Sequence, residues 1–260
     1  MQIVKFIGDC QSDGQKIERL IRRFYVVLPD RGVFIDGGAH VGYHTAHAMK
    51  FFQKVVAVEA SPVTYVQHLR QRISQASDPK TLNVIPLNSA RGCRERQGDK
   101  VDFFFSETHP GRSTVNTKMW EKWGNGTVKY DAPISASVVE IDDLRTLFAA
   151  GRPVDFIKLD LEGNEINALR GGAKTMSEDR PAIVMELGLK PHNEDLYGET
   201  CSGFVSMMAD KGYALYAPWA EPAEEAILRG YPFWYVFALP KGERLDDLVG
   251  RLRLAYQEQL

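Results

Sequence analysis

The stretch VFIDGGAHVGYHT, Val33 to Thr45, decides how the rest of the chain is read. Val33, Phe34 and Ile35 form a short apolar run of strand character that stops at Asp36, and Gly37 and Gly38 then permit a tight turn. From Val41 to Phe52 the pattern becomes helical, with Val41, His44, Ala48 and Phe52 on one side. A glycine turn between a strand and a helix brings backbone N–H groups and the helix N-terminus up to a ligand, which suits a nucleotide-type cofactor.

Upstream, Ile17, Leu20, Ile21, Phe24 and Val27 make a helical stripe within an N-terminal segment, 1–32, that Pro29 to Gly32 closes. Downstream, Val55 to Val58 repeats the strand signal and stops at Glu59. Ser61 then supplies an N-cap and Pro62 the first helical position, with Val63, Val66, Leu69 and Ile73 as the buried face. Val84 to Leu87 is a third strand, which Pro86 confines to an edge or an end. Strands alternating with helices predict a parallel sheet.

The rhythm breaks over 101–139, where Val101 to Phe105 and Ile134 to Val139 read as strands around a Gly-, Ser- and Trp-containing loop, a small β-rich insertion. It resumes with a strand from Val154 to Asp160, a helix from Gly163 to Leu169 closed by Gly171 and Gly172, and a strand from Ala182 to Glu186. Phe204, Met207 and Met208 belong to a further helix as core filler. Tyr213 to Tyr216 and Phe233 to Leu239, joined by a loop alone, predict an antiparallel pair at one end of the sheet. Leu245, Leu248, Val249, Leu252 and Tyr256 mark an amphipathic C-terminal helix. The expected fold is α/β and Rossmann-like: a mostly parallel sheet with helices on both faces. A wholly parallel, doubly wound sheet is the alternative.

Its 260 residues suit a single domain, 1–260, and 44% hydrophobic with 25% charged residues is ordinary for a folded soluble protein. A formal charge of -2 offers no footprint for nucleic acid or an anionic membrane, so neither is indicated as a partner. MQIVKFIGDC reaches Asp9 before an apolar run attains signal-peptide length, and nothing approaches a membrane-spanning stretch, so a cytoplasmic location is expected. Cys10, Cys93 and Cys201 are widely spaced and read as free thiols.

A nicotinamide dinucleotide and S-adenosylmethionine both fit a glycine turn followed by an acid, Glu59, that accepts from ribose hydroxyls. Asp36 favours the second: a carboxylate before the turn repels a pyrophosphate and attracts a cofactor that carries an ammonium and a sulfonium but no phosphate. The turn also reads GGAHVG, with Ala39 in the place of the second glycine of the dinucleotide fingerprint.

With FIDGGAHVGYHT, VVAVEASP, VVEIDDL and VDFIKLDLEGNEINALRGGAKTM before a strand ending in Glu186, the chain resembles FkbM-type methyltransferases of the class I S-adenosylmethionine-dependent fold. The likeness spans about Val33 to Glu186, and KLDLEGNEINALRGG is its most specific segment. It implies a seven-stranded sheet with an antiparallel last strand, and methyl transfer usually to an oxygen of a sugar, polyketide or similar small molecule. It also implies cofactor contacts at Asp36, Gly38, Ala39 and Gly42 with the methionine end, at Glu59 and the adjoining Ala60 with the ribose, and at Ser89 and Ala90 with the adenine. His40 stands where Asn is common in the family and Ala60 where Pro is common. Ser113 and Thr114 resemble a Ser-rich stretch of the family that closes over the cofactor.

Transfer from a sulfonium requires an aligned oxygen relieved of its proton. Asp160, Glu162 and Glu186, at neighbouring strand ends, are the candidate catalytic groups. Glu162 also reads as a helix N-terminal acid, and the three together as ligands of a divalent cation. Glu165 reads as a solvated helix residue. His109 and His192 are further candidate bases, and His40 and His44 have a metal-compatible spacing that the cofactor turn leaves no room for. Two other functions stay open: an NAD(P)-dependent oxidoreductase using the same turn, and a cofactor-binding protein that no longer catalyses.

Overall fold

The structure is a computed structural model that describes residues 14–76, 83–118, 127–230 and 234–258. Seven segments pair into one sheet: β1 (Val33–Gly37), β2 (Lys54–Glu59), β3 (Val84–Asn88), β7 (Val154–Leu159), β8 (Ala182–Glu186), β9 (Tyr213–Tyr216) and β10 (Tyr235–Pro240). Their order is β3-β2-β1-β7-β8-β10-β9, and β10 alone runs antiparallel to its neighbours. This is the mostly parallel sheet expected, with the last strand of the chain reversed. β3 is an edge strand, which lets Pro86 sit in it without breaking an inner ladder. Phe233 lies outside the described residues, as does Cys10.

Three segments form a second sheet, β4-β6-β5: β4 (Ala90–Arg91), β5 (Lys100–Phe103) and β6 (Ile134–Val139). It starts earlier than the insertion expected over 101–139, because Ala90 and Arg91 leave β3 to pair in parallel with Val138 and Val139.

Helix α1 (Gly14–Val26) lies against the sheet. Its Phe24 and Tyr25 are fully buried, with ring centroids 6.0 Å and 5.5 Å from that of Phe156 of β7, and Phe34 of β1 stacks on Phe156 at 5.4 Å. Burying each such side chain is worth about 1.5–3 kcal/mol. Helix α2 (Tyr43–Ala48) is shorter than the pattern predicted: Gly42, its N-cap, takes the left-handed conformation (φ 82°), so Val41 stays in the turn. In α3, Pro62–Thr64, the π-helical Tyr65–Leu69 and Arg70–Ala76 follow one another, with the expected Ser61 cap accepting from the Thr64 N–H at 3.1 Å. The wide π turn rotates the face, so Leu69 and Ile73 are buried as expected but Val63 and Val66 are exposed.

Beyond β4 come α4 (Arg94–Gln97), α5 (Ile141–Phe148), α6 (Glu165–Arg170), α7 (Ala173–Glu178), α8 (Glu194–Tyr197), α9 (Cys201–Asp210), α10 (Glu224–Leu228) and α11 (Leu245–Gln257). Helix α10 lies between β9 and β10, where a loop alone was expected. Met208 is a core residue of α9, and Cys93 and Cys201 are buried free thiols. No helix among the described residues is long and apolar enough to cross a membrane.

Candidate active site

Parallel register brings the functional strand ends to one edge. Gly37 pairs with Val58 and with Leu159, and Leu159 with Met185, so Glu59, Asp160 and Glu186 all leave the sheet at the same side as the glycine turn. The turn is pressed onto the end of β7: a Cβ on Gly38 (φ 73°) would stand 1.8 Å from the carbonyl oxygen of Asp160. His40 follows with φ 47°, a region that suits Asn and, less well, His, which accounts for the Asn common at this place in the family.

Two cavities meet here. The first, about 260 Å³, is lined by Gly38, His40, Glu59, Ala60, Ser89 and Ala90 on one side and by Ser113, Asp160, Glu162 and Asn164 on the other. The second, about 510 Å³, lies between α1 and the turn and takes in Gly38, Ala39, His40 and Asp160. Of the residues expected to contact a cofactor, Gly38, Ala39, Glu59, Ala60, Ser89 and Ala90 therefore border a cavity. Asp36 and Gly42 border neither.

Asp36 is fully buried. Its Oδ2 accepts the Thr45 hydroxyl at 2.6 Å, and its Oδ1 lies 3.8 Å from the Lys158 ammonium. Lys158 also stands 3.3 Å from Asp160, which accepts the Tyr235 hydroxyl at 3.1 Å. Burial alone lowers the pKa of a lysine; Asp160 and Asp36 outweigh it, and Lys158 is held charged.

Glu59 accepts the His40 N–H and the Ser61 N–H, both at 2.8 Å, tying the glycine turn to the start of α3. Burial nonetheless pushes its carboxyl up to about 7. Each carboxylate oxygen keeps a second lone pair for a ribose hydroxyl.

Asp160, Glu162 and Glu186 place one carboxylate oxygen each within 4.8 Å of one another. Glu162 sits at φ 52°, and its carbonyl accepts the Thr114 hydroxyl at 2.7 Å, so the insertion holds a strained residue in place. Glu162 is consequently outside α6, and the helix-terminal role passes to Glu165. That residue is buried, contrary to the solvated position expected, because the chain folds back over it. Its Oε1 accepts the N–H groups of Leu161 at 2.6 Å and Gly163 at 3.4 Å, while burial raises its pKa to about 7. Burial, then the charges of Glu162, Asp160 and Glu165, raise Glu186 well above the ordinary carboxylate range. Both shifts have the direction that burial and closely spaced acids impose.

His109 and His192 border neither cavity. His44 is bound to Glu18 of α1 instead of pairing with His40. Three residues that sequence reasoning passed over belong to the site: Lys158, Thr45 and Arg91. Arg91 is buried beside Gly37, its guanidinium nitrogens without a hydrogen-bond partner among the described residues, and burial lowers its pKa to about 9 against the opposing charge of Asp36. A cation inside the apolar run VDFIKLD was the available signal for Lys158, since a buried charge demands partners.

Among solved structures, the chain is similar to an FkbM methyltransferase from Methylobacillus flagellatus KT (TM-score 0.46, 14% identity, 82% of this chain and 45% of that chain). It thus spans under half the length of that relative. It is also similar to a precorrin-6y C5,15-methyltransferase from Geobacter metallireducens GS-15 (TM-score 0.43, 12% identity, 87% of each chain). A ribosomal protein L11 methylase from Lactobacillus delbrueckii subsp. bulgaricus gives a TM-score of 0.44 at 9% identity, over 89% of this chain and 80% of that chain. No curated protein matches. The methyltransferase FkbM domain matches residues 36–215, which take in most of the sheet and the lining of the smaller cavity, and the chain belongs to that family of methyltransferases.

Proposed function

We propose that the chain, acting as one domain over 1–260, transfers a methyl group from S-adenosylmethionine to a hydroxyl oxygen of a small-molecule acceptor such as a sugar or polyketide. The observation that carries this reading is the convergence of Asp160, Glu162 and Glu186 at the strand ends, beside a cavity that Glu59 borders from the other side. The cofactor supplies an electrophilic methyl group on a good leaving group. The chain's own tasks are then to hold an acceptor hydroxyl in line and to take its proton. Asp160 is oriented for that by Lys158 and Tyr235, and the cluster stores the proton. Its 4.8 Å spread also fits a divalent cation shared by the three acids, which is the second reading.

Calorimetry tests the cofactor: binding of S-adenosylhomocysteine without binding of NADH supports the proposal, and the reverse pattern points to an oxidoreductase. Methylation across a panel of hydroxyl-bearing acceptors, followed by mass spectrometry, tests the reaction. Cofactor binding with no acceptor ever methylated is the outcome expected of a degenerate protein. Asp160→Asn is expected to spare S-adenosylhomocysteine affinity and to lower turnover; undiminished turnover removes Asp160 as the base. Full activity in excess chelator rejects the cation.

A further inference from the structure

The smaller cavity holds the ribose acid Glu59 but, at about 260 Å³, falls below the roughly 300–1,000 Å³ usual for a whole ligand of this kind. The larger one, about 510 Å³, continues from it across Gly38, His40 and Asp160 and is walled on its far side by Gln15, Glu18, Arg19 and Arg22 of α1. Its charged lining is mixed. Glu18 and Asp160 supply carboxylates; Arg19, Arg22 and Lys158 supply cations. A wall of one sign selects a simple ion, whereas a wall of both signs matches a zwitterion.

The cations are not equally committed. Lys158 is shared between Asp160 and Asp36, and Arg22 is 3.9 Å from Glu18. Glu18 is itself anchored: burial, which alone raises its pKa, is outweighed by the hydrogen bond and charge of His44, leaving the carboxyl at about 2. Arg19, exposed at the cavity wall, has no ion pair or hydrogen bond among the described residues. Arg19 and Arg22 are three residues apart on a helix of 13, so they share one face and reach the cavity together. A guanidinium presents two parallel N–H donors that fit the two oxygens of a carboxylate.

We propose that α1 binds the amino-acid end of the cofactor, with Arg19, supported by Arg22, on its α-carboxylate, and Glu18 facing its ammonium. This rests on the S-adenosylmethionine reading above. The adenosine then occupies the smaller cavity, the sulfonium lies near the shared residue Asp160, and the amino acid extends under the N-terminal helix. The N-terminal segment thereby becomes part of the cofactor site, outside the region that the family domain covers.

Calorimetry on the full chain with two probes tests this: S-adenosylhomocysteine, and 5′-methylthioadenosine, which keeps the adenosine and thioether but lacks the amino acid. The wild type is expected to prefer S-adenosylhomocysteine. Arg19→Gln, and more so Arg19→Gln with Arg22→Gln, is expected to weaken S-adenosylhomocysteine about 10- to 100-fold, the loss typical of a charged hydrogen-bond partner, and to leave 5′-methylthioadenosine unchanged. Retained 5′-methylthioadenosine binding also reports that the variants are folded. Unchanged S-adenosylhomocysteine affinity in the double variant, or an equal loss for both probes, overturns the inference alone. Failure of the wild type to bind S-adenosylhomocysteine overturns the cofactor reading and the inference with it.

Discussion

Replacing Gly38 by Ala tests how closely the glycine turn must approach the end of β7, and Gly151→Ala supplies its control. Both glycines have left-handed backbones, φ 73° and 79°, so each substitution carries the same conformational penalty of roughly 1–2 kcal/mol. Loss of unfolded-state freedom offsets about 0.4–1 kcal/mol of it in both. Their surroundings differ. Nothing lies within 4 Å of a Cβ on Gly151, whereas one on Gly38 meets the Asp160 carbonyl oxygen at 1.8 Å, and real contacts stay above 3.0 Å. Something must therefore move by about 1.2 Å, the difference between those two distances. That carbonyl is backbone, anchored by the Asp160 N–H donating to Gly37 at 3.1 Å, and cannot swing aside like a side chain. Overpacking of this kind costs a further ~1–3 kcal/mol. Urea denaturation should show Gly151→Ala losing about 0–1.6 kcal/mol and Gly38→Ala about 1–4.6 kcal/mol, a difference of about 1–3 kcal/mol. A displacement near 1 Å at a reacting group lowers turnover about 100-fold, so Gly38→Ala should also lose methyl transfer while Gly151→Ala keeps it. Equal destabilisation by the two, with S-adenosylhomocysteine binding intact in Gly38→Ala, refutes the idea that this contact sets the geometry of the site.

Glu59→Ala leaves the His40 and Ser61 N–H groups without their carboxylate, and should cost about 2–4 kcal/mol in urea denaturation together with much of the affinity for S-adenosylhomocysteine. Unchanged affinity removes Glu59 from the cofactor site. Glu165→Gln retains an oxygen for the Leu161 N–H but cannot ionise. Because burial raises the wild-type carboxyl from 4.5 to about 7, its stabilising contribution is complete below about pH 4.5 and is lost as the pH rises through 7. The variant should therefore gain on the wild type across that window and hold its advantage above it, and a stability difference independent of pH contradicts this.

β1, β2, β7 and β8 were legible because each is a mainly apolar run with an acid at its end, and parallel register made those acidic ends converge. Ala182 to Glu186 and Tyr213 to Tyr216 needed no adjustment. Strand order lies outside the reach of local pattern. Nothing in the sequence around Tyr235 says that β10 inserts between β8 and β9, since that depends on which ladder stays free after the parallel strands have paired. Glu165 was misread for a related reason. A charged residue in a short helix reads as solvated, but the left-handed backbone at Glu162 and Gly163 turns the N–H groups of Leu161 and Gly163 onto it. Val63 and Val66 were placed inward by a period of 3.6, which the π turn at Tyr65–Leu69 breaks. Arg91 gave no warning because the segment LNSARG has no periodicity from which its burial can be inferred.

Asp36 shows where a charge argument made from sequence has to be rebuilt. As an uncompensated carboxylate it would by itself exclude a pyrophosphate, but it borders neither cavity, and Lys158 stands between it and Asp160. Two buried or half-buried carboxylates thus share one ammonium, whose removal should be severe: Lys158→Met is expected to cost about 3–5 kcal/mol, the usual effect of orphaning buried charge. If relief of Asp36 is the reason, adding Asp36→Asn should restore part of that loss, with a coupling of about 0.5–3 kcal/mol in a double-mutant cycle read by urea denaturation. Additive costs refute the shared-ammonium account. A positive coupling assigns Asp36 to positioning Lys158, and through it Asp160. The negative field that would favour a cationic, phosphate-free cofactor then arises from Asp160 and Glu162, which line the smaller cavity, and no longer from the acid that first drew attention to the turn.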